Sequence, residues 1–403
     1  MPEDATPTQR KNFRNLYTEA VAIGLANAAG AFLPVFLTRA GGTNFQVGLL
    51  TAMPAFTGLF LAIAMGSFLQ SRPNVVPWYT GARLLIILSY AIVGVVSMIV
   101  PQEYIVQTTL FIRLMVTIPL ALLNVAFSVV MNAVAGPRGR YAFMSRRWSI
   151  LGLTTAFTVS VVGQILDRSR FPINYQVMFI GLSTVALFGV YYARRVKLPD
   201  TDPPPGAAGL RFAERVRNSI DLVRRERAFV SFTTKRFVYV MGTTLSAPLL
   251  PIYYVRQVEA TDAWIGAISS IQTAVPLIGY YLWSRQGKQR GPRSVLLWTT
   301  LGLAVHPALI ASTRRVELIA LYAGLAAIFQ AGLNLAFFDE LMKTVPVQYS
   351  SIFVSVAQSL RFLPAMAAPL LGTLLADHVG IGTALVASSV LRIAGFGLFA
   401  RGK

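Results

Sequence analysis

The sequence predicts an all-α membrane protein of twelve transmembrane helices in two six-helix bundles related by pseudo-two-fold symmetry. Three observations lead there. Only 13% of the 403 residues are charged and 55% are hydrophobic, whereas soluble domains carry about 25% charged residues. The charges lie at the borders of long apolar runs rather than among them. Blocks of residues in the first half return in the second at a nearly constant offset.

Ten stretches run for 19 or more residues without Asp, Glu, Lys or Arg: 20–38, 40–71, 84–102, 114–137, 148–166, 171–193, 237–255, 263–284, 294–313 and 318–338. Each is long enough to cross hydrocarbon roughly 30 Å thick. Two further apolar stretches, 352–376 and 379–400, are interrupted only by Arg361 and Arg392, which completes twelve spans. Residues 1–15 hold Arg10, Lys11 and Arg14 without an apolar core, so no cleaved signal peptide is expected. Cysteine is absent, which excludes disulfides, thiolate metal sites and thiol nucleophiles.

The net charge of +20 is explained by topology. With the N-terminus placed inside, 27 of the 36 basic residues fall in inner segments, 6 in outer segments and 3 within spans (Arg113, Arg361 and Arg392). Basic residues accumulate on the cytoplasmic side of membrane proteins and are drawn to anionic lipid headgroups there. Both termini are therefore expected in the cytoplasm, in a multi-pass chain of a cell membrane such as the bacterial inner membrane. Membrane lipids are the expected surroundings, and nucleic acid is not an expected partner.

Leu123-Asn124-Val125-Ala126-Phe127 in the fourth span returns as Leu333-Asn334-Leu335-Ala336-Phe337 in the tenth. Gly66 and Ser71-Arg72 return as Gly279 and Ser284-Arg285, and Leu33-Pro34-Val35-Phe36-Leu37-Thr38-Arg39 as Leu250-Pro251-Ile252-Tyr253-Tyr254-Val255-Arg256. Three matches in one order at equivalent positions imply a parallel six-plus-six repeat. The expected division is 1–196 and 229–403, joined by a cytoplasmic linker over 197–228. That linker opens with the proline-rich run 199–206 and continues into a stretch whose apolar residues Leu210, Phe212, Val216, Ile220 and Val223 share a helical face. It reads either as an amphipathic helix on the inner membrane surface or as a solvated charged loop.

On these blocks and loops the chain resembles the major facilitator superfamily over essentially its whole length. The loop after the second span departs from that family's motif, with Gln70 at the acidic position and Pro73 at the second glycine. After the eighth span Trp283 replaces the acid beside Arg285, Lys288, Arg290 and Arg293. The glycine-proline motif of proton antiporters is missing from 148–166. The resemblance implies a monomeric secondary transporter that moves a small solute by alternating access, with spans one, four, seven and ten lining a cavity. No enzymatic activity and no cofactor are implied.

Polar groups deep in a membrane are costly and mark function. Arg113 on the fourth span and Arg361, about 14 Å into the eleventh, read as substrate contacts or as structural and gating residues. An organic anion, or an amphiphile with an anionic head, suits two buried guanidiniums with no acidic residue near a span centre. Asn124 and Asn334 read as solute contacts or as interhelical hydrogen-bonding pairs. Gating or coupling falls to Glu19, Asp339, Glu340, Gly66, Gly279, Arg72 and Arg285: Glu19 as a coupling carboxylate or one paired with Arg14 or the linker, Asp339 and Glu340 as inner-gate partners of loop arginines, and the glycines as points of close helix approach. Arg392 is expected to snorkel to the inner headgroups, and His306 to be a hydrogen-bonded structural residue. Two histidines and no paired acidic motif inside the spans oppose a membrane enzyme. A scaffold without turnover and an exporter of neutral or cationic compounds remain alternatives.

Overall fold

The computed structural model describes residues 6–70, 72–198, 224–344 and 350–401, and these are helical with short connections. In order the helices are α1 Pro7–Arg39, α2 Asn44–Gln70, α3 Val76–Ile99, α4 Ile105–Asp167, α5 Ile173–Arg194, α6 Arg227–Ser246, α7 Leu249–Arg256, α8 Asp262–Ala274, α9 Pro276–Arg290, α10 Pro292–Ala311, α11 Val316–Thr344, α12 Ser350–Val379 and α13 Ile381–Arg401. Twelve segments are long and apolar enough to cross a membrane, in agreement with the charge spacing. The chain is a multi-pass membrane protein.

Local sequence fixes the helix ends. The Thr6 hydroxyl accepts from the Gln9 N–H and the Gln9 side chain accepts from the Thr6 N–H, a capping box that starts α1. Prolines stand in the first turn of α3, α9 and α10, where the missing N–H removes no helical bond. Gly380, at φ +88° between α12 and α13, adopts a backbone conformation that a side chain would oppose. The stretch 137–147, which the charge pattern places in an inner loop, continues as helix within α4. The linker reading falls almost wholly on 199–223, outside the described residues.

The chain forms two compact units. Unit 1 comprises residues 1–204 and 259–274, and unit 2 comprises 205–258 and 275–403. The division differs from the expected one in α8, whose residues pack in unit 1 although they follow the linker. Pro276 has no N–H to give at the α8–α9 junction, which separates the two segments of the eighth span, and Gly163 and Gly266 let α8 close on α4 of unit 1.

Small residues allow close helix packing where no hydrophobic effect drives association. In unit 1, a Cβ on Gly163 of α4 meets the Asp262 carbonyl oxygen at 2.6 Å and Gly266 Cα of α8 at 3.2 Å. Gly24 packs on Thr154, and Gly189 on Ala22. In unit 2, Gly332 packs against Trp283 and Gly395 against the backbone of Tyr239.

Candidate functional site

In unit 1 the carboxylate of Glu19, completely buried on α1, is the centre of a charged cluster. The Tyr79 hydroxyl donates to its Oε1. Arg83 Nε lies 3.4 Å from the same oxygen, and Arg147 Nη2 donates to Oε2 at 3.2 Å. Arg83 Nη2 also donates to the Tyr79 hydroxyl at 3.3 Å, and the Arg147 guanidinium lies 4.9 Å from the centre of the Phe127 ring. Glu19 thus joins α1, α3 and α4. Of its anticipated partners, Arg14 does not provide the pairing. Sequence reading missed Arg83 and Arg147, which stand 64 and 128 positions away and were counted among inner-loop charges.

Arg113 lies on α4, about 16 Å along the helix from Gln102, where its span begins. Its Nη1 donates to Ser89 Oγ at 2.9 Å, and its guanidinium lies 4.6 Å from the centre of the Tyr90 ring. Both partners are neutral and belong to α3. The Tyr90 hydroxyl is positioned 2.9 Å from where a Cβ of Gly30 would stand on α1, so three helices meet beside this cation. Among the described residues no carboxylate lies within ion-pair distance of Arg113.

In unit 2, Arg361 of α12 is exposed and shares a niche with Arg236 of α6. The Arg236 guanidinium lies 5.4 Å from the centre of the Phe337 ring of α11, and neither arginine has a carboxylate within ion-pair distance among the described residues. Arg236 was missed because Lys235-Arg236 follows a run of loop charges in the sequence. α6 begins at Arg227, ten residues before the charge-free stretch, and so carries Arg236 into the helix.

The remaining predicted residues divide between local and interhelical roles. Asn334 Nδ2 donates to the Tyr280 hydroxyl of α9 at 3.2 Å, and its Oδ1 accepts from Gln330 at 2.9 Å, whereas the Asn124 side chain is exposed in unit 1. Asp339 and Glu340 pair with Lys343 on their own helix at 2.6 and 3.1 Å, and among the described residues no loop arginine joins them. Arg72 stacks on Phe68 and Trp78 at 4.6 and 5.2 Å, and Arg285 is exposed near the end of α9.

The two repeat glycines differ. A Cβ on Gly279 meets Ala331 Cβ and the Ile328 carbonyl oxygen, each at 2.8 Å, while one on Gly66 meets nothing within 4 Å. Close helix approach therefore holds for Gly279 and not for Gly66 among the described residues. Trp283, at the position of the family's acid, donates from Nε1 to the Ile328 carbonyl at 2.9 Å.

Arg392 does not snorkel. It is 4% exposed, donating from Nη1 to the Leu303 carbonyl at 2.9 Å and from Nη2 to Ser246 Oγ at 2.5 Å. Pro307 explains the acceptor. Four residues after Leu303 it has no N–H to give, so that carbonyl is left without its helical donor. His306 beside it is buried, and its Nε2 has no hydrogen-bond partner among the described residues.

A further polar cluster in unit 1 holds α8. Asp262 accepts from the Tyr175 hydroxyl at 2.6 Å and pairs with Arg39 at 3.0 Å. Its N–H donates to Asp167 at 2.5 Å, and Arg39 Nη2 donates to the Ala260 carbonyl at 3.1 Å. The charge count assigned Arg39 to an outer segment but offered no signal for these partners, which are 87 to 223 positions apart in sequence.

No family profile matches this sequence, and no curated protein does. Solved structures match over nearly the whole chain. The nucleoside transporter NupG, as its D323A mutant, aligns with a TM-score of 0.70 at 11% identity, covering 98% of this chain and 99% of that one. A bacterial homologue of the human lysosomal transporter Spinster, inward-facing and unoccupied, aligns at 0.71 and 11%, covering 98% and 97%. A bacterial homologue of the iron transporter ferroportin, inward-facing, aligns at 0.71 and 13%, covering 97% and 99%. The chain has the fold of the major facilitator superfamily transporters.

Proposed function

We propose that this chain is a secondary transporter that moves a small organic anion, or an amphiphile with an anionic head, across a membrane by alternating access. The fold supports transport in general, through neighbours whose cargo differs from one to the next. The observation that carries the anion is Arg113: a guanidinium inside a span, held by a hydroxyl and a ring face with no carboxylate within ion-pair distance among the described residues. A membrane-embedded cation requires acceptors, and Arg presents a planar fork that matches carboxylate and phosphate oxygens.

Proteoliposomes containing only the purified protein test the reading. Uptake or release of organic anions is expected above the rate in empty vesicles. Arg113→Gln should weaken apparent anion affinity by ~1.5–3 kcal/mol, the worth of a charge-assisted hydrogen bond, at unchanged protein abundance. A cationic substrate, or the same anion affinity in the variant, would remove the anion. Absence of flux across anions, sugars and amphiphiles would leave a scaffold without turnover.

The same proposal places both termini in the cytoplasm, on the charge distribution. Because the chain has no cysteine, single cysteines report position cleanly. An impermeant thiol reagent applied to intact cells should label Ser169→Cys and spare Gln289→Cys until the membrane is permeabilised. The opposite pattern inverts the topology.

A further inference from the structure

Unit 2 carries two stripes of side chains with one spacing. On α6, Thr233, Arg236, Phe237 and Val240 recur at i, i+3, i+4 and i+7; on α12, Ala357, Leu360, Arg361 and Pro364 do the same. That spacing puts each set on a single helical face, and both faces line one niche. The Thr244 hydroxyl donates to the Pro364 carbonyl at 3.2 Å, tying α6 to α12 beside it. Each stripe contributes one guanidinium, set among apolar side chains.

Two like charges brought to one place repel each other, more strongly where water is sparse. The described residues offer no carboxylate to offset them; Arg236 has only the Phe337 ring. A second observation points to a ligand. Thr233 is 8% exposed, lines the same niche, and its hydroxyl has no hydrogen-bond partner among the described residues. Buried polar groups are ordinarily paired, so an idle hydroxyl beside two uncompensated guanidiniums is a donor set waiting for oxygen atoms. Thr233 and Arg236 line the niche from α6 and Arg361 from α12, and each guanidinium has a fork able to meet two oxygens of one carboxylate or phosphate.

We propose that Arg236, Arg361 and Thr233 bind the anionic head, carboxylate or phosphate, of an amphiphile whose apolar portion lies on Phe237, Val240, Leu360 and Pro364. The inference deepens the transport reading by naming a head-group site within unit 2, but binding there does not depend on turnover. Both arginines hold head-group oxygens, and the Thr233 hydroxyl donates the remaining bond. The flanking apolar surface favours an alkyl-bearing anion over a bare ion.

Titration calorimetry of the full chain in maltoside micelles tests the site, with hexyl phosphate, hexanoate, inorganic phosphate and hexyltrimethylammonium as probes. Hexyl phosphate or hexanoate should bind more tightly than inorganic phosphate, and the ammonium should not compete. Arg236→Gln and Arg361→Gln should each weaken the better anion about tenfold or more, and Thr233→Val about threefold. Arg236→Lys and Arg361→Lys keep the charge and lose the fork, so they should retain part of the affinity even if a glutamine variant fails to fold. Displacement of hexyl phosphate by phosphatidic acid added to the micelles would identify a lipid head as the source of the anion, and the site would stand. Unchanged affinity in both glutamine variants, equal binding of the ammonium, or no anion binding by the unaltered protein would overturn it. Flux in proteoliposomes separates the two readings. Anion binding that needs Arg236 and Arg361 without flux keeps the site and removes the transporter, while flux indifferent to both substitutions removes the site and keeps the transporter.

Discussion

In unit 1 one carboxylate, Glu19, receives two guanidiniums and a phenol, whereas in unit 2 Arg236, Arg361 and Arg392 have no carboxylate within ion-pair distance among the described residues. The two units thus differ in electrostatic design. A buried charge that meets an opposite charge becomes a structural tie. One that meets carbonyls and hydroxyls is satisfied as a hydrogen-bond donor, as Arg392 is, while the less buried Arg236 and Arg361 are the pair proposed above to take a ligand. Arg113 follows the second pattern inside unit 1, so the distinction belongs to the local partner set and not to the unit.

The strongest way to break this comparison is Glu19→Gln. It leaves Arg83 and Arg147 buried without an anion, and removing one member of a buried ion pair costs ~3–5 kcal/mol. Thermal unfolding in detergent should show a loss of that order, while Tyr79→Phe, which removes the hydroxyl that donates to Glu19 and accepts from Arg83, should cost about 1–3 kcal/mol. If Glu19→Gln unfolded at the temperature of the unaltered protein, the cluster would not be a tie, and Glu19 would return as a candidate for coupling.

A smaller effect sharpens the comparison between the repeat halves. Gly279→Leu forces a side chain onto Ala331 Cβ and the Ile328 carbonyl, each 2.8 Å from the position of its Cβ, and overpacking of this kind costs about 1–3 kcal/mol. Gly66→Leu meets no such neighbour and should leave stability unchanged. Equal losses in the two variants, read by the same thermal assay, would show that the halves pack alike at these positions.

The twelve spans and the repeat were legible because they are one-dimensional facts: a hydrocarbon layer imposes a minimum apolar length, and duplication leaves an offset. Arg113 and Arg361 were legible for the same reason, as charges where none is expected. Their surroundings were not, since Ser89 and Tyr90 reach Arg113, and Arg236 and Arg361 come to line one niche, only through helix packing. Arg236 was hidden by an assumption that every charge near the linker lies outside the membrane. Gly66 and Gly279 occupy equivalent positions in sequence, yet packing separates them. The replacement of the loop acid by Trp283 was visible, but not that its indole would donate to the Ile328 carbonyl.

Arg392 shows a signal that sequence does contain, and it supports the smallest prediction. Pro307 deprives the Leu303 carbonyl of its helical donor, and Arg392 Nη1 takes that place at 2.9 Å. Two opposing effects follow in Arg392→Met. The carbonyl loses its partner, at about 1–3 kcal/mol for an unsatisfied buried acceptor, while a buried charge without a counter-ion disappears, which is favourable. The net change in stability should therefore stay within about 1 kcal/mol, far below that of Glu19→Gln, where the substitution strands two charges instead of removing one. Adding Pro307→Ala supplies an N–H to Leu303, so the double variant should be more stable than Arg392→Met alone, and a double-mutant cycle should give a coupling of about 0.5 kcal/mol or more. Additive effects would separate the arginine from the proline. A loss in Arg392→Met as large as that in Glu19→Gln would show that a guanidinium held only by neutral partners can tie helices as firmly as one held by a carboxylate, and the contrast between the partner sets would fall.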